Sequence, residues 1–343
     1  MISHVDLDNF GPLHKIRWPK LGAINLIIGN NGSGKTFLLK AIYSALKTVE
    51  EHGRGNTIQS AADILANKLY WTFQVDKIGD LVTKKAGDSL KFNFTIDKQS
   101  FHYSFGKDTA KKITNLESKV KPRSSNSIFL PAKEVLSLHN IILDSRVREK
   151  IFGFDDTYFD LAQALAIQPQ KGRNYEGFSK SRLELESLFG GKVVFESTSN
   201  TWVFKKGSQQ FSLGVTAEGV KKIAILDTLL GNRYLDRHSV IFMDEPESAL
   251  HPTAISKLLD IIAVLAEEGI QIFMASHSYF VVKKLFLIAQ QKGMNIPVLA
   301  YEENEDKNHW RYADLREGFP DNPIVEESIR LYEQEVALSL GQA

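Results

Sequence analysis

The chain has 343 residues, 43% hydrophobic and 24% charged, which is enough apolar material for a sizeable core in one large domain or two. With 42 Lys and Arg against 41 Asp and Glu, the formal net charge is +1, so no global basicity argues for a nucleic-acid partner and no acidity argues against one. There is no cysteine, which excludes disulfides and thiolate metal sites and fits a cytosolic protein.

The opening residues, MISHVDLDNFGPL, carry acids and no continuous apolar core, unlike a signal peptide. No stretch approaches ~18 apolar residues, and the best candidate, FVVKKLFLIA, is interrupted by lysines, so a soluble, cytoplasmic chain with no membrane contact is expected. Residues 2–28 read as short strands: ISHVDL alternates, NFGPL is a turn, HKIRW is a second strand, and AINLII is a buried one. Then come GNNGSGKT, residues 29–36, and a helical run, TFLLKAIYSALK. Strand, glycine-rich loop and helix in that order make G-x-x-x-x-G-K-[ST] a phosphate-binding loop. Gly29, Gly32 and Gly34, with Asn30, Asn31 and Ser33 between them, let the backbone curl until successive N–H groups face one centre. The following helix adds the positive end of its dipole there. Lys35 would reach the β- and γ-phosphates of a nucleoside triphosphate, and the Thr36 hydroxyl would ligate Mg²⁺.

A polar break, EEHGRGN, separates this helix from an amphipathic one carrying Ile64, Leu65, Leu69 and Trp71. KFNFTI and SFHYSF alternate as two strands joined at residues 97–99. Residues 107–123 are basic, with Lys107, Lys111, Lys112, Lys119, Lys121 and Arg123 against Asp108 and Glu117. SIFLPAKEVLSLHNII predicts a strand ended by Pro131 and then a helix. Residues 143–190 read as helical and charged, clearest in DTYFDLAQALAI and SKSRLELESLF, with the intervening QPQKGRNYEGFSK a loop. Strand patterns return in KVVFES, TWVFKK and QFSL. TAEGVKKIAILDTLLGN begins as a turn and becomes a helix ended by Gly231.

From Ser239 strand and helix alternate, which predicts a parallel sheet covered by helices on both faces. VIFMDEP, residues 240–246, delivers Asp244 and Glu245 to the carboxyl edge of that sheet, where ligands sit in open α/β folds. Asp244 is placed to hold Mg²⁺ through its water shell, and Glu245 to act as general base toward an attacking water. No internal repeat and no long heptad stretch is visible.

Together these motifs resemble the ATP-binding-cassette (ABC) ATPase family. EPESALHP, residues 245–252, resembles the family's dimer-contacting EPTSALD loop, with His251 where Asp is usual. IFMASHS brings His277 to the position of the switch histidine, which contacts the γ-phosphate. The best match to the LSGGQ signature is TAEGVKK, residues 216–222. Gly219 fits the second glycine, Glu218 replaces the first, Ala217 stands where the phosphate-binding serine belongs, and Thr216 is the neighbouring hydroxyl. For the glutamine loop the candidates are Lys133 and Glu134, or Gln74. The N-terminal strands and INLIIGNNGSGKT resemble the chromosome-maintenance (SMC), RecF and OLD-type branch. FLPAKEVLSL, the EG signature and the LHP loop resemble stand-alone bacterial ATPases found in phage-defence operons, such as the ATPase subunit of PARIS-type systems.

The resemblance implies an α/β P-loop NTPase of ABC-ATPase type, with a mixed or parallel sheet core, N-terminal antiparallel strands and a helical subdomain. It implies one domain over 1–343, divided into a strand and phosphate-loop lobe (1–130), a helical and signature subdomain (131–222) and a lobe carrying the acidic strand and switch histidine (223–343). ATP and Mg²⁺ are the implied cofactors, with Lys35, Glu245 and His277 catalytic. The implied activity is ATP hydrolysis by a homodimer that forms on ATP, in which a second copy supplies Thr216, Glu218, Gly219 and the loop from Ser248 to His251. No coiled-coil arm or appended nuclease domain is visible, so a separate effector protein is expected, with antiviral defence as the setting. The altered signature leaves open a nucleotide-gated sensor or scaffold with little hydrolysis. A DNA-repair ATPase is the third reading. The basic residues 107–123 and 171–182 could contact phosphodiesters, with Tyr175 and Phe178 stacking on bases. The tail EESIRLYEQEVALSL reads as an amphipathic helix, with Ile329, Val336 and Leu340 expected to pack on the ATPase core.

Overall fold

A computed structural model describes the chain except residues 56–57, 85–88, 171–173, 197, 200, 305–306, 321 and 341–343. The N-terminal hairpin pairs β1 (Ile2–Phe10) with β2 (Leu13–Trp18), and the wholly buried β3 (Ile24–Ile28) leads to α1 (Lys35–Glu51). α2 (Ala61–Phe73) starts at Ser60, whose hydroxyl accepts from the Asp63 backbone N–H, a standard N-cap. β4 (Leu90–Ile96) and β5 (Gln99–Phe105) join through Asp97 and Lys98, both at positive φ (50° and 65°), the geometry of a type I′ turn that matches strand twist. β6 (Asn115–Ser118) lies in the basic stretch and closes a five-stranded antiparallel sheet, order β2-β1-β4-β5-β6.

β7 (Ser127–Leu130) is followed by α3 (His139–Asp144), α4 (Asp156–Leu165) and α5 (Glu176–Phe189). Helix α5 therefore begins inside the stretch expected to be loop. A small sheet of β8 (Lys192–Glu196), β9 (Thr201–Lys206) and β10 (Gln209–Ser212) precedes α6 (Glu218–Gly231). Then come β11 (Val240–Asp244), α7 (Pro252–Glu267), β12 (Gln271–Ser276), α8 (Tyr279–Lys292), β13 (Pro297–Asn304), β14 (Lys307–Asp314) and α9 (Pro323–Ser339). The central sheet runs β14-β13-β3-β12-β11-β7 and is parallel except for β14 at its edge.

Side chains of the central strands alternate between two apolar cores, as the period of two requires. Leu26, Ile128, Ile241, Met243, Ile272 and Met274 face the core built with α4 to α8. Ile27, Phe129, Phe242, Phe273 and Leu299 face α1 and the antiparallel sheet. The expected cover of helices on both faces is thus corrected on one side, where α1 is backed by a second sheet. Phe242 stacks between Phe129 and Phe273, with ring centroids at 6.3 and 5.2 Å. Truncating such a fully buried ring costs ~3–5 kcal/mol.

Behind α1 lies a buried ionic cluster. Lys68 contacts Asp156 at 3.4 Å, Asp160 at 3.1 Å and Glu51 at 2.8 Å, and Tyr43 donates to Asp160 at 2.7 Å. Arg146 adds a 3.0 Å contact to Asp156 and lies 3.3 Å from the Trp71 ring centroid. These contacts fix α4 against α1 and α2. The tail helix behaves otherwise than expected: Ile324 and Val325 pack on the core, whereas Ile329, Val336 and Leu340 are 53%, 37% and 64% exposed. Its first turn docks, and from Ile329 onward its apolar side chains do not pack on the core. No helix among the described residues is long and apolar enough to cross a membrane.

Candidate active site

The carboxyl ends of β3, β11 and β12 converge on one mouth. After β3 the chain bends through Gly29, Gly32 and Gly34, at φ 157°, 82° and 96°. Two of these positions resist a side chain, Gly29 chiefly for lack of space and Gly34 chiefly for its positive φ. A Cβ on Gly29 would lie 2.6 Å from Tyr301 Cβ, and one on Gly34 would lie 2.8 Å from Leu13 Cδ2. The curl of the loop therefore favours glycine there, and α1 starts directly from it, with Gly34 as its N-cap. Lys35 Nζ folds back onto the Gly29 and Asn30 carbonyls at 2.7 and 2.9 Å. Burial pushes its amine down, opposed by the charges of Glu245, Asp244 and Glu247. The Ser33 hydroxyl is buried in the loop without a partner.

Thr36 Oγ1 donates to Asp244 Oδ1 and Oδ2, both at 2.9 Å. Burial pushes the Asp244 carboxyl up; the Thr36 hydrogen bond opposes that shift and Glu245 adds to it. Glu245 follows at φ 47°, a left-handed conformation rare outside glycine, with its N–H donating to the Ala275 carbonyl at 2.9 Å. Its Oε1 lies 3.2 Å from His277 Nδ1. Ser276, the last residue of β12 and the neighbour of His277, donates to Glu247 at 2.7 Å.

These groups open into a cleft of about 570 Å³ whose wall includes Asn31, Gly32, Gly34, Lys35, Thr36 and Glu245. The opposite wall, Phe37, Lys40, Phe73, Val75, Asp80 and Leu81, was not foreseen from the sequence. Phe37 and Lys40 come from the first turns of α1 and the rest from the end of α2 and the segment after it, where no motif or period marks a wall of the cleft. Lys40 also pairs with Asp155, the N-cap of α4, at 2.6 Å. Of the glutamine-loop candidates, Gln74 lies between two wall residues with its amide nitrogen buried and unpartnered. Lys133 and Glu134 do not line the cleft, and Glu134 accepts from the Ser137 N–H.

The signature-like residues lie elsewhere. Thr216 donates to the Ser212 carbonyl at 3.0 Å, Ala217 is the N-cap position of α6, and Glu218 opens the helix. None of them lines the cleft. Gly219 packs on the loop after β11: a Cβ there would meet the Ala249 carbonyl at 2.8 Å. His251 Nδ1 accepts from the Thr253 N–H at 3.3 Å and so caps α7.

The base-stacking expectation fails at Phe178, which has no exposed surface and belongs to the core under α5. Tyr175 lies under the Arg237 guanidinium, 4.4 Å from its ring centroid, and Arg182 is paired with Asp227 at 2.7 Å. Of that basic stretch, residues 171–173 lie outside the described residues.

The fold is similar to that of solved SMC heads. The chain superposes on an SMC head bound to the C-terminal winged-helix domain of ScpA with a TM-score of 0.54 at 13% identity, covering 92% of this chain and 98% of that one. It superposes on the SMC head domain with an extended coiled coil, bound to the C-terminal domain of ScpA derived from Pyrococcus furiosus, with a TM-score of 0.51 at 11% identity, covering 97% and 98%. At such identities the likeness speaks for the fold, which is that of an ABC-type ATPase head. No curated protein matches the sequence. Residues 24–283 match the family model described as "AAA domain, putative AbiEii toxin, Type IV TA system", and the chain belongs to that family of P-loop ATPase domains.

Proposed function

We propose that the chain is a Mg²⁺-dependent ATPase head whose site is completed by a second copy of itself. The observation that carries this reading is the meeting of Lys35, Thr36, Asp244, Glu245 and His277 at three adjacent strand ends. The phosphates would lie on residues 29–36, with Lys35 exchanging its loop carbonyls for phosphate oxygens. Thr36 and Asp244 supply oxygen donors suited to Mg²⁺, which takes few protein ligands and keeps its waters. Among the described residues no three His, Asp or Glu are grouped so as to hold a metal ion, so nucleotide and water would complete the shell. Bound there, the ion would neutralise charge on the phosphate oxygens. Glu245 would take the proton of the attacking water, and His277 would hold Glu245 Oε1 at the cleft.

The placement of Thr216, Glu218 and Gly219 outside their own cleft supports a site closed in trans, with residues 248–251 at the same contact. ATP binding between two chains would then act as a differential ligand favouring the closed pair. Such a cycle reports nucleotide state to a separate effector protein, in keeping with the resemblance to phage-defence ATPases and with the partner domains carried by the SMC heads. Glu245→Gln should retain ATP binding and lose ~10²-fold or more in turnover. Parental turnover in that variant overturns the base assignment. Light scattering with and without ATP tests the pair, and an unchanged mass overturns ATP-driven dimerisation.

One observation favours a second reading, a nucleotide-gated scaffold with little hydrolysis. Glu218 opens α6 with its carboxylate more than half exposed, and would place negative charge where a γ-phosphate would approach. A turnover rate in the usual range of ATPases would exclude it.

A further inference from the structure

Helix α6 touches the loop after β11 at a second point besides Gly219. Lys222, one turn further on, sends its amine under the site to donate to the Glu245 main-chain carbonyl, with the Ala132 carbonyl at 3.5 Å. That carbonyl also accepts from the Ser248 N–H at 3.0 Å, while the Glu245 N–H is tied to Ala275. Glu245 is thus held on both sides in the left-handed backbone conformation, which is uncommon for a residue with a side chain. The left-handed twist turns its carbonyl toward α6 and leaves its side chain at the cleft, facing His277.

We propose that Lys222 is a positioning residue for the hydrolytic step: from the signature-like helix it grips the Glu245 carbonyl and keeps the general base aimed into the cleft. The inference rests on the ATPase reading above. Its consequence is a mechanical link within one chain. A second copy that displaces the first turn of α6 moves Lys222, and with it the backbone of Glu245. Ala132 ties the same amine to the loop after β7, so three segments meet at one nitrogen. Burial lowers the amine to about 8, opposed by the charges of Glu247, Asp244 and Glu245, which keeps it protonated at neutral pH.

The test uses the full chain with Lys222→Met, which keeps the stem and removes the donor, and Lys222→Arg, which restores charge and donors. Three quantities are read: affinity for a fluorescent ATP analogue, kcat and KM for Mg-ATP, and amide hydrogen exchange over residues 245–250 without nucleotide. Lys222→Met should bind the analogue within about twofold of the parent, lose ~10-fold or more in kcat at unchanged KM, and exchange faster in that segment alone. Lys222→Arg should recover most of both effects. Parental kcat in the Met variant, or parental exchange, overturns the proposal, as does faster exchange across the whole chain. A parent that binds ATP without turning it over defeats the hydrolytic reading alone; the exchange comparison then decides whether Lys222 holds the loop.

Discussion

The Thr36 hydroxyl donates to both carboxylate oxygens of Asp244, closing a contact between residues 208 positions apart. It joins the first turn of α1 to the end of β11, the two elements whose relative placement makes the cleft. Thr36→Val keeps the shape and removes the oxygen. It should lower the gain in ATP affinity that Mg²⁺ brings by ~10–100-fold, while binding in excess chelator changes little. Titrating a fluorescent ATP analogue with and without Mg²⁺ measures both. A variant that keeps the full Mg²⁺-dependent gain excludes Thr36 as a ligand.

Gly219 has no room for a methyl group, because the contact is with the rigid main chain at Ala249. Ala249 is itself at φ 63°, so the loop has little slack. Gly219→Ala should destabilise the fold by ~1–3 kcal/mol, seen in urea denaturation. It should also weaken any ATP-induced increase in mass while leaving single-chain nucleotide binding intact. Unchanged stability would show that the α6 contact yields more easily than its distances imply.

The glycine-rich loop, the acidic strand and the histidine after β12 are legible as neighbours because each is a short motif set by local chemistry at a strand end. The order of the central strands is not, since parallel pairing such as that of β3 with β12 joins segments far apart in sequence. β6 and β14 escaped notice for a different reason. Their residues, NLES and KNHWRYAD, are too polar or irregular to show a buried face. Phe178 looked like a base-stacking residue because its neighbours are basic and polar, and only its place under α5 shows it to be core. Lys222 carried no signal, being one of two adjacent lysines on a helix.

Asp156 and Asp160 share the Lys68 amine but differ in what each gains from it. Burial pushes Asp156 up, against Lys68 and with the charge of Asp160 adding to the shift. Burial also opposes the Asp160 charge, but Lys68, Lys47 and the Tyr43 hydrogen bond outweigh it and hold that carboxyl down. For Asp160 the stabilisation is present above the ordinary value of 3.8 and is lost as pH falls through its lower folded value. For Asp156 the sign reverses, and stability falls as pH rises from 3.8 through its elevated folded value. At neutral pH, Asp160→Asn should therefore cost ~3–5 kcal/mol, and Asp156→Asn about 1 kcal/mol or less. Thermal denaturation from pH 4 to 7 should show the Asp156→Asn protein gaining on the parent as pH rises. Equal losses in the two variants would mean that the carboxylates share the lysine evenly.

His251 stands where the resemblance to ABC ATPases leads to the expectation of aspartate, and its ring accepts the Thr253 N–H at the start of α7 as an aspartate would. At 3.3 Å that bond is long, and an imidazole offers one acceptor where a carboxylate offers two. A carboxylate also complements the positive end of the helix dipole. His251→Asp should therefore stabilise the isolated chain by about 0.5–1 kcal/mol, seen as a rise in Tm of ~1–3 °C. The same residue lies in the loop proposed to face a second copy, which makes the substitution informative twice. If the histidine serves only the fold, the variant melts higher and its ATP-dependent mass is unchanged. If the ring is part of the contact between copies, the variant melts higher as a single chain and pairs less readily on ATP, because stabilising the cap has removed a contact made in trans. A lower Tm would show that the ring is held by something other than the cap.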